Sequence, residues 1–238
     1  MSHGEASMIH LTINDQPIEV TEGRTVLEAC REHGIPVPTL CYHPALEPYG
    51  GCRLCMVEVS QPPRGPRLAA ACTYPCEEGV VVKTDTEAVR CSRRITAELL
   101  MAGASHTPEI VALAQEMGVN EVRFKMPKEN DCVLCGLCVR ACREIVGESA
   151  ISLIRRGIAK KVSPPFEIAS SICIGCGTCV LICPTGALKL SDVAGFRSVH
   201  PTHSAYTRHS CRICGDADLS PHFVQDVTEL LAFQKDEG

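Results

Sequence analysis

The chain has 238 residues, 45% of them hydrophobic but only 4% aromatic and none Trp, with a formal net charge of −5. That length and that shortage of large rings predict two to three modest domains rather than one large apolar core. The negative balance argues against a general nucleic-acid binder, and no apolar stretch is long enough to span a bilayer. Seventeen cysteines stand out, and their spacing points to metal rather than to disulfides. Such thiolates need a reducing compartment. The opening M-S-H-G-E-A-S has no basic region followed by an apolar run, so no secretory signal is expected and the chain reads as cytoplasmic.

In chain order, Ile9–Ile13 alternates, Asn14 to Gln16 turns, and Pro17–Val20 returns, which predicts a β-hairpin. Thr25 and Glu28 make a capping box, and Gly34 suits the left-handed cap that ends the helix. A cysteine-rich loop follows, with Gly50 and Gly51 where backbone would have to approach a cofactor closely. Strands are expected from Met56 to Val59 and up to Ala71. Cys41, Cys52, Cys55 and Cys72 have the spacing C-x10-C-x2-C-x16-C, close to the plant-type ferredoxin pattern but with a wider first gap. These residues are assigned to a [2Fe-2S] cluster, with a structural zinc as the competing use of four thiolates. Thr84 and Glu87 predict a second capping box, opening a helix to about Met101 that carries Val89, Ile95, Leu99 and Leu100. Thr107 with Pro108 predicts a third helix start and Gly118 its stop.

Two copies of C-x2-C-x2-C-x3-C then occur, at Cys132, Cys135, Cys138 and Cys142, and at Cys173, Cys176, Cys179 and Cys183, the second closed by Pro184. This is the bacterial two-cluster ferredoxin pattern, in which the fourth cysteine of each run ligates the other cluster. One [4Fe-4S] cluster is therefore assigned Cys132, Cys135, Cys138 and Cys183; the other is assigned Cys142, Cys173, Cys176 and Cys179. Zinc knuckles or a disulfide scaffold fit less well, because zinc sites pair two C-x2-C units rather than tripling each. Each run should be a loop opening a short helix. Ala150–Ile154 and Phe166–Ile168 read as strands, and Arg155, Arg156, Lys160 and Lys161 as a basic patch, either a solvated hairpin or a docking surface.

Beyond Asp192 the composition shifts to His, Ser and Thr. Cys211 and Cys214, with His209 and His222 nearby, could hold a tetrahedral zinc or a further cluster, or could be free or redox cysteines. A terminal helix over Phe223–Phe233 is expected, and the tail reads as an extended segment for wrapping a partner. Three cysteines are left. Cys30 reads as a small buried hydrophobe, Cys76 as a conceivable alternate ligand, and Cys91 has no role.

The runs P38-T-L-C41-Y-H-P44, G51-C52-R53-L-C55-M-V-E58 and A71-C72-T73, with the two later motifs, resemble the iron–sulfur subunit of complex I in its N-terminal part. They are also similar to the diaphorase small subunit of NAD-linked hydrogenases and to the front domains of related formate dehydrogenases. The resemblance covers about residues 8 to 192. It implies an α+β chain: a β-grasp [2Fe-2S] ferredoxin domain (8–84), a helical linker (85–124), a two-cluster ferredoxin-like domain (125–192) and a C-terminal extension (193–238). In the family a histidine in the linker begins a further cluster site with one His and three Cys ligands. Here His106 stands without any cysteine between Cys91 and Cys132, so that cluster is expected to be missing and His106 reads as a polar loop residue.

No Gly-rich nucleotide loop and no nucleophile–base set stand out. The resemblance implies an electron-relay subunit between a flavin-containing NAD(P)H-oxidising subunit and a catalytic subunit, of hydrogenase, formate dehydrogenase or benzoyl-CoA-reductase type. Electron bifurcation with ferredoxin as third party is compatible with low-potential clusters. A free-standing multi-cluster carrier and a non-redox metal scaffold are the alternatives, with no nucleic acid and no membrane insertion expected for any of them.

Overall fold

The computed structural model describes residues 7–124, 126–127, 130–167, 172–193, 196–200, 204–207, 209–210 and 218–219. The chain divides into two compact units, Met1–Cys135 and Gly136–Gly238.

The first unit begins with the expected hairpin, β1 (Met8–Ile13) and β2 (Gln16–Thr21). Asn14 and Asp15 both take positive φ, 50° and 66°. Two such residues make a turn whose twist matches the flanking strands, so Gln16 already belongs to β2. Helix α1 (Val26–Glu32) is closed by the predicted box: the Glu28 amide donates to Thr25 Oγ1 at 3.3 Å, and the Thr25 amide donates to Glu28 Oε2 at 2.8 Å. β3 (Met56–Gln61) and β4 (Arg64–Ala70) form a second antiparallel pair. β5 (Val81–Lys83) was not anticipated from sequence, yet it stitches the sheet together. It runs parallel to β1 and antiparallel to β3, giving the order β2-β1-β5-β3-β4. Ile13, Val26, Leu27, Val57, Val80 and Val82 are fully buried together between the sheet and α1. Burial of each such side chain contributes about 1.5–3 kcal/mol.

Helix α2 (Glu87–Gly103) differs from expectation at its start. Its N-cap is Thr86, whose hydroxyl accepts from the Val89 amide at 3.3 Å. Thr84 is instead tied to the hairpin turn: its amide donates to Asn14 Oδ1 at 2.9 Å and its hydroxyl accepts from Asn14 Nδ2 at 2.8 Å. A long-range side-chain pair has displaced the local cap. Val89 is buried as expected, but Ile95 and Leu99 are exposed, while Ala97, Glu98 and Ala102 face inward. Buried Glu98 is held by Arg123, whose backbone amide and guanidinium donate to its two oxygens at 2.7–2.8 Å. Helix α3 (Pro108–Glu116) has the predicted Pro near its start, and Gly118 takes φ +74° just past its end.

The two C-x2-C-x2-C-x3-C motifs share a backbone. Leu134 and Gly175 both take positive φ, and Gly136 and Gly177 both sit at φ 76° as N-caps of α4 (Leu137–Ala141) and α5 (Thr178–Leu181). Both short helices start where the repeat predicts. β6 (Ser152–Ile154) pairs with β7 (Lys161–Ser163). Of the strand expected at Phe166–Ile168, Phe166 and Glu167 fall instead in a tight helical turn, Pro165–Glu167, with Phe166 at φ 58° and 90% exposed, and Ile168 lies outside the described residues. The physical reason is Pro164–Pro165, which offers no amide donors to a ladder. β8 (Lys189–Val193), β9 (Phe196–His200) and β10 (Ser204–Thr207) make an antiparallel sheet in the order β10-β9-β8, and most of the tail expected as an extended segment lies outside the described residues. No described helix is long and apolar enough to cross a membrane.

Candidate iron–sulfur centres

In the first unit the loop between α1 and β3 and the end of β4 bring four distant cysteines together. The Cys52 amide donates to Cys41 Sγ at 3.4 Å, and the sulfurs of Cys55 and Cys72 are 3.4 Å apart. Cys41 also bonds to Cys72 through its side chain, so the sulfurs form a continuous chain of contacts. Cys41, Cys55 and Cys72 are buried and Cys52 partly so. Crowding forces the thiols to share protons. Hydrogen bonds from the Cys52 and Cys72 side chains pull Cys41 down to about 2, and the bond to Cys72 pulls Cys55 down to about 7. The partners Cys52 and Cys72 are correspondingly pushed up. Two sulfurs thus favour the thiolate form that iron requires. Amides of Gly51 and Cys52 aim at Cys41, the arrangement that tunes a cluster's potential. Gly50 adopts φ +67°, and a Cβ on Gly51 would fall 2.3 Å from the Tyr49 ring, so the loop's tightness has a packing cause as well. Among the described residues no group of three or more His, Cys, Asp and Glu is arranged to hold a single metal ion.

In the second unit Cys142, Cys173, Cys176 and Cys179 line one pocket, walled by apolar Ile151 and Val199. These are the four residues that the crossed ferredoxin pattern groups together. The Ala150 amide donates to Cys142 Sγ at 3.3 Å. Burial pushes the Cys142 thiol up, and pushes Cys179 up to about 12. Buried apolar walls favour neutral thiols until a cation arrives. Val199 was missed by sequence reasoning, because only the pairing of β9 with β8 brings the tail to the pocket.

The remaining dicluster cysteines fall in both units. Cys132 and Cys135 close the first; Cys138 and Cys183 belong to the second. The Cys132 amide donates to Asn130 Oδ1 at 3.1 Å, and the Asn130 amide to the Gly103 carbonyl at 2.8 Å. His106 pairs with Asp131, so it engages the residue before Cys132. At Cys183, burial acts upward, but amides of Leu188, Thr185 and Ala187 outweigh it and hold the thiol low. Cys30 and Cys76 lie in the sheet's apolar core, where burial raises each to about 11. Cys91 is exposed. Cys211, Cys214 and His222, and the expected terminal helix, lie outside the described residues; of His209 only the backbone is described.

Two family models match the chain: a 2Fe-2S iron-sulfur cluster binding domain over residues 6–87 and a 4Fe-4S dicluster domain over residues 131–187. The chain thus carries both kinds of cluster domain, the 2Fe-2S before the 4Fe-4S. It is 32% identical to a subunit of the NADH-quinone oxidoreductase of Rhizobium meliloti (strain 1021), over 87% of this chain and 27% of the relative. It is 33% identical to an NADP-reducing hydrogenase subunit of Solidesulfovibrio fructosivorans, over 76% of this chain and 36% of that one. Among solved structures it is similar to a chain of an NAD+-reducing [NiFe]-hydrogenase in the H2-reduced state, with TM-score 0.66, 28% identity, and coverage of 75% of this chain and 86% of that chain. The chain is similar to these NADH-quinone oxidoreductase and hydrogenase subunits, and it spans 27% to 36% of the two curated relatives.

Proposed function

We propose that this chain is an electron-relay subunit carrying one [2Fe-2S] and two [4Fe-4S] clusters. It would pass electrons between a flavin-containing NAD(P)H-oxidising subunit and a catalytic oxidoreductase subunit. The observation that carries the reading is the gathering of Cys41, Cys52, Cys55 and Cys72 into contact from positions far apart in sequence. The mixed sheet with α1 packed on it supports a β-grasp ferredoxin domain. Cys142, Cys173, Cys176 and Cys179, lining one pocket, fit a [4Fe-4S] set. The set Cys132, Cys135, Cys138 and Cys183 rests on the motif spacing. Clusters of these kinds supply one-electron transfer at potentials set by cluster type, burial and hydrogen bonds. The chain's own contribution is to present thiolates, aim amides at Cys41, Cys142 and Cys183, and keep apolar walls around the sulfurs. The relatives named for NADH-quinone oxidoreduction and NADP-reducing hydrogenase support the flavin-linked setting. Hydrogenase, formate dehydrogenase and benzoyl-CoA-reductase assemblies are the candidate catalytic partners, and ferredoxin-linked bifurcation is the refinement to test once a partner is known.

The test is anaerobic purification followed by iron analysis and EPR of the dithionite-reduced chain, with about ten iron atoms expected per chain from these cluster types. Cys55→Ser should remove the [2Fe-2S] signal alone, and Cys176→Ser one [4Fe-4S] signal. A colourless, iron-free chain that still supports turnover of its complex would overturn the relay.

A further inference from the structure

The first unit has a large concave surface that the cluster reading leaves unused. It is a cleft of about 1020 Å³ between the segment after α1, the first turns of α2 and the end of α3. Small-molecule sites reach this size and combine apolar walls with a few placed polar groups. Here Arg31, Arg90, Arg93 and Arg94 border the space, beside an apolar wall that includes Ile35 and Val37.

The four guanidiniums are not equivalent. Arg90 and Arg94 are exposed and one turn apart on α2, so they share a face. Arg31 is steadied against the Tyr42 ring, 4.5 Å from its centroid, and donates to Thr39 Oγ1 at 3.1 Å. Arg93 is half-buried and donates twice to the Met56 carbonyl, at 3.1 and 2.7 Å. A neutral carbonyl leaves a desolvated cation under-compensated. Burial accordingly lowers the Arg93 pKa, with Asp85 acting only as a partial Coulombic offset. Asp85 itself is engaged by Arg90 at 3.0 Å. Glu87 and Glu116 also line the cleft and oppose an anion, so the attraction must come from its guanidinium side.

We propose that this cleft binds a phosphate-bearing organic anion of nucleotide size, with Arg31, Arg90 and Arg94 gripping the phosphate and the Ile35–Val37 wall taking the apolar part. Planar guanidinium forks match phosphate oxygens in pairs. An acidic peptide is the competing occupant; the concave shape and the apolar wall favour a compact ligand. Two of the cleft's arginines contact chain neighbours of the cysteine quartet. Arg31 reaches Tyr42, the neighbour of Cys41, and Arg93 holds the carbonyl of Met56, the neighbour of Cys55. An added dianion would disfavour an extra electron on a [2Fe-2S] cluster held there, and by linkage reduction would weaken the anion's binding. This coupling rests on the [2Fe-2S] reading; the binding itself does not.

The experiment is anaerobic calorimetric titration of the full chain with ADP, adenosine and inorganic phosphate at low salt. ADP should bind, and adenosine should bind at least about tenfold more weakly, because it lacks the charge-assisted bonds. Arg94→Ala should weaken ADP about tenfold, Arg94→Lys less, Glu116→Gln should tighten it, and Arg156→Ala in the second unit should leave it unchanged. ADP should also move the [2Fe-2S] midpoint to more negative potential in the wild type and less so in Arg94→Ala. The proposal is overturned by no ADP binding up to about 5 mM, the range of very weak association, by equal binding of ADP and phosphate, or by ADP affinity indifferent to Arg94. Arginine-dependent binding of poly-glutamate without ADP binding would overturn it in favour of a peptide groove. ADP binding in a chain lacking the [2Fe-2S] signal would sink the cluster reading and leave the cleft standing.

Discussion

The two cysteine regions are built by opposite means. In the first unit the quartet hangs from a five-stranded sheet whose core is mostly aliphatic and takes in Cys55 and Cys72, and three of the four cysteines are buried. In the second unit the sulfurs lie on loops and on helices of five and four residues, and Cys176 is exposed. Helices that short have little stability of their own. The contrast teaches that one region presents a site on an independent scaffold, whereas in the other the ligand set must contribute to the scaffold.

The sharpest way to break that contrast is to remove the metal. Chelation under anaerobic conditions should unprotect the amides of 137–146 and 173–183 while those around Ile13, Leu27 and Val57 stay protected in hydrogen exchange; equal loss in both units would end the distinction. Next in size, Leu27→Ala in the fully buried core should cost the first unit about 2–5 kcal/mol. Denaturant melts should show that loss in the first unit, with the [4Fe-4S] signals of the folded protein unchanged. Thr25→Ala should cost about 1 kcal/mol, because it removes the hydroxyl half of a capping box, and Thr25→Ser should restore most of it. The smallest effect concerns Glu98, which the Arg123 side chain holds down to about 2, against an ordinary 4.5. A depressed carboxyl stabilises the fold above its unfolded value and loses that contribution as pH falls through the folded one. The Tm gap between the iron-depleted wild type and Arg123→Ala should therefore be full at pH 7 and shrink between about 4.5 and 2.

Much of the local architecture was legible because its causes are local. The Thr25–Glu28 box, the turn begun at Asn14, the Pro108 helix start and the short helix in each later cysteine motif each depend on residues a few positions apart. The repeat's spacing is itself a statement about reach, and Cys142, Cys173, Cys176 and Cys179 line one pocket. Where expectation failed, a partner distant in sequence or a missing donor prevailed. Thr84 answers Asn14 rather than its own helix, and Pro164–Pro165 removes the donors a strand at Phe166 would need.

The amino-acid order by itself determined which residues are soft ligands, how they are spaced and which short helices carry them, because thiolate chemistry and backbone capping need only neighbours. Only the tertiary structure decided that β5 sits at the sheet's centre, that Val199 walls the second cysteine pocket and that four arginines border one cleft. Those placements depend on which faces the chain buries together, and burial is a property of the whole fold rather than of any stretch of it.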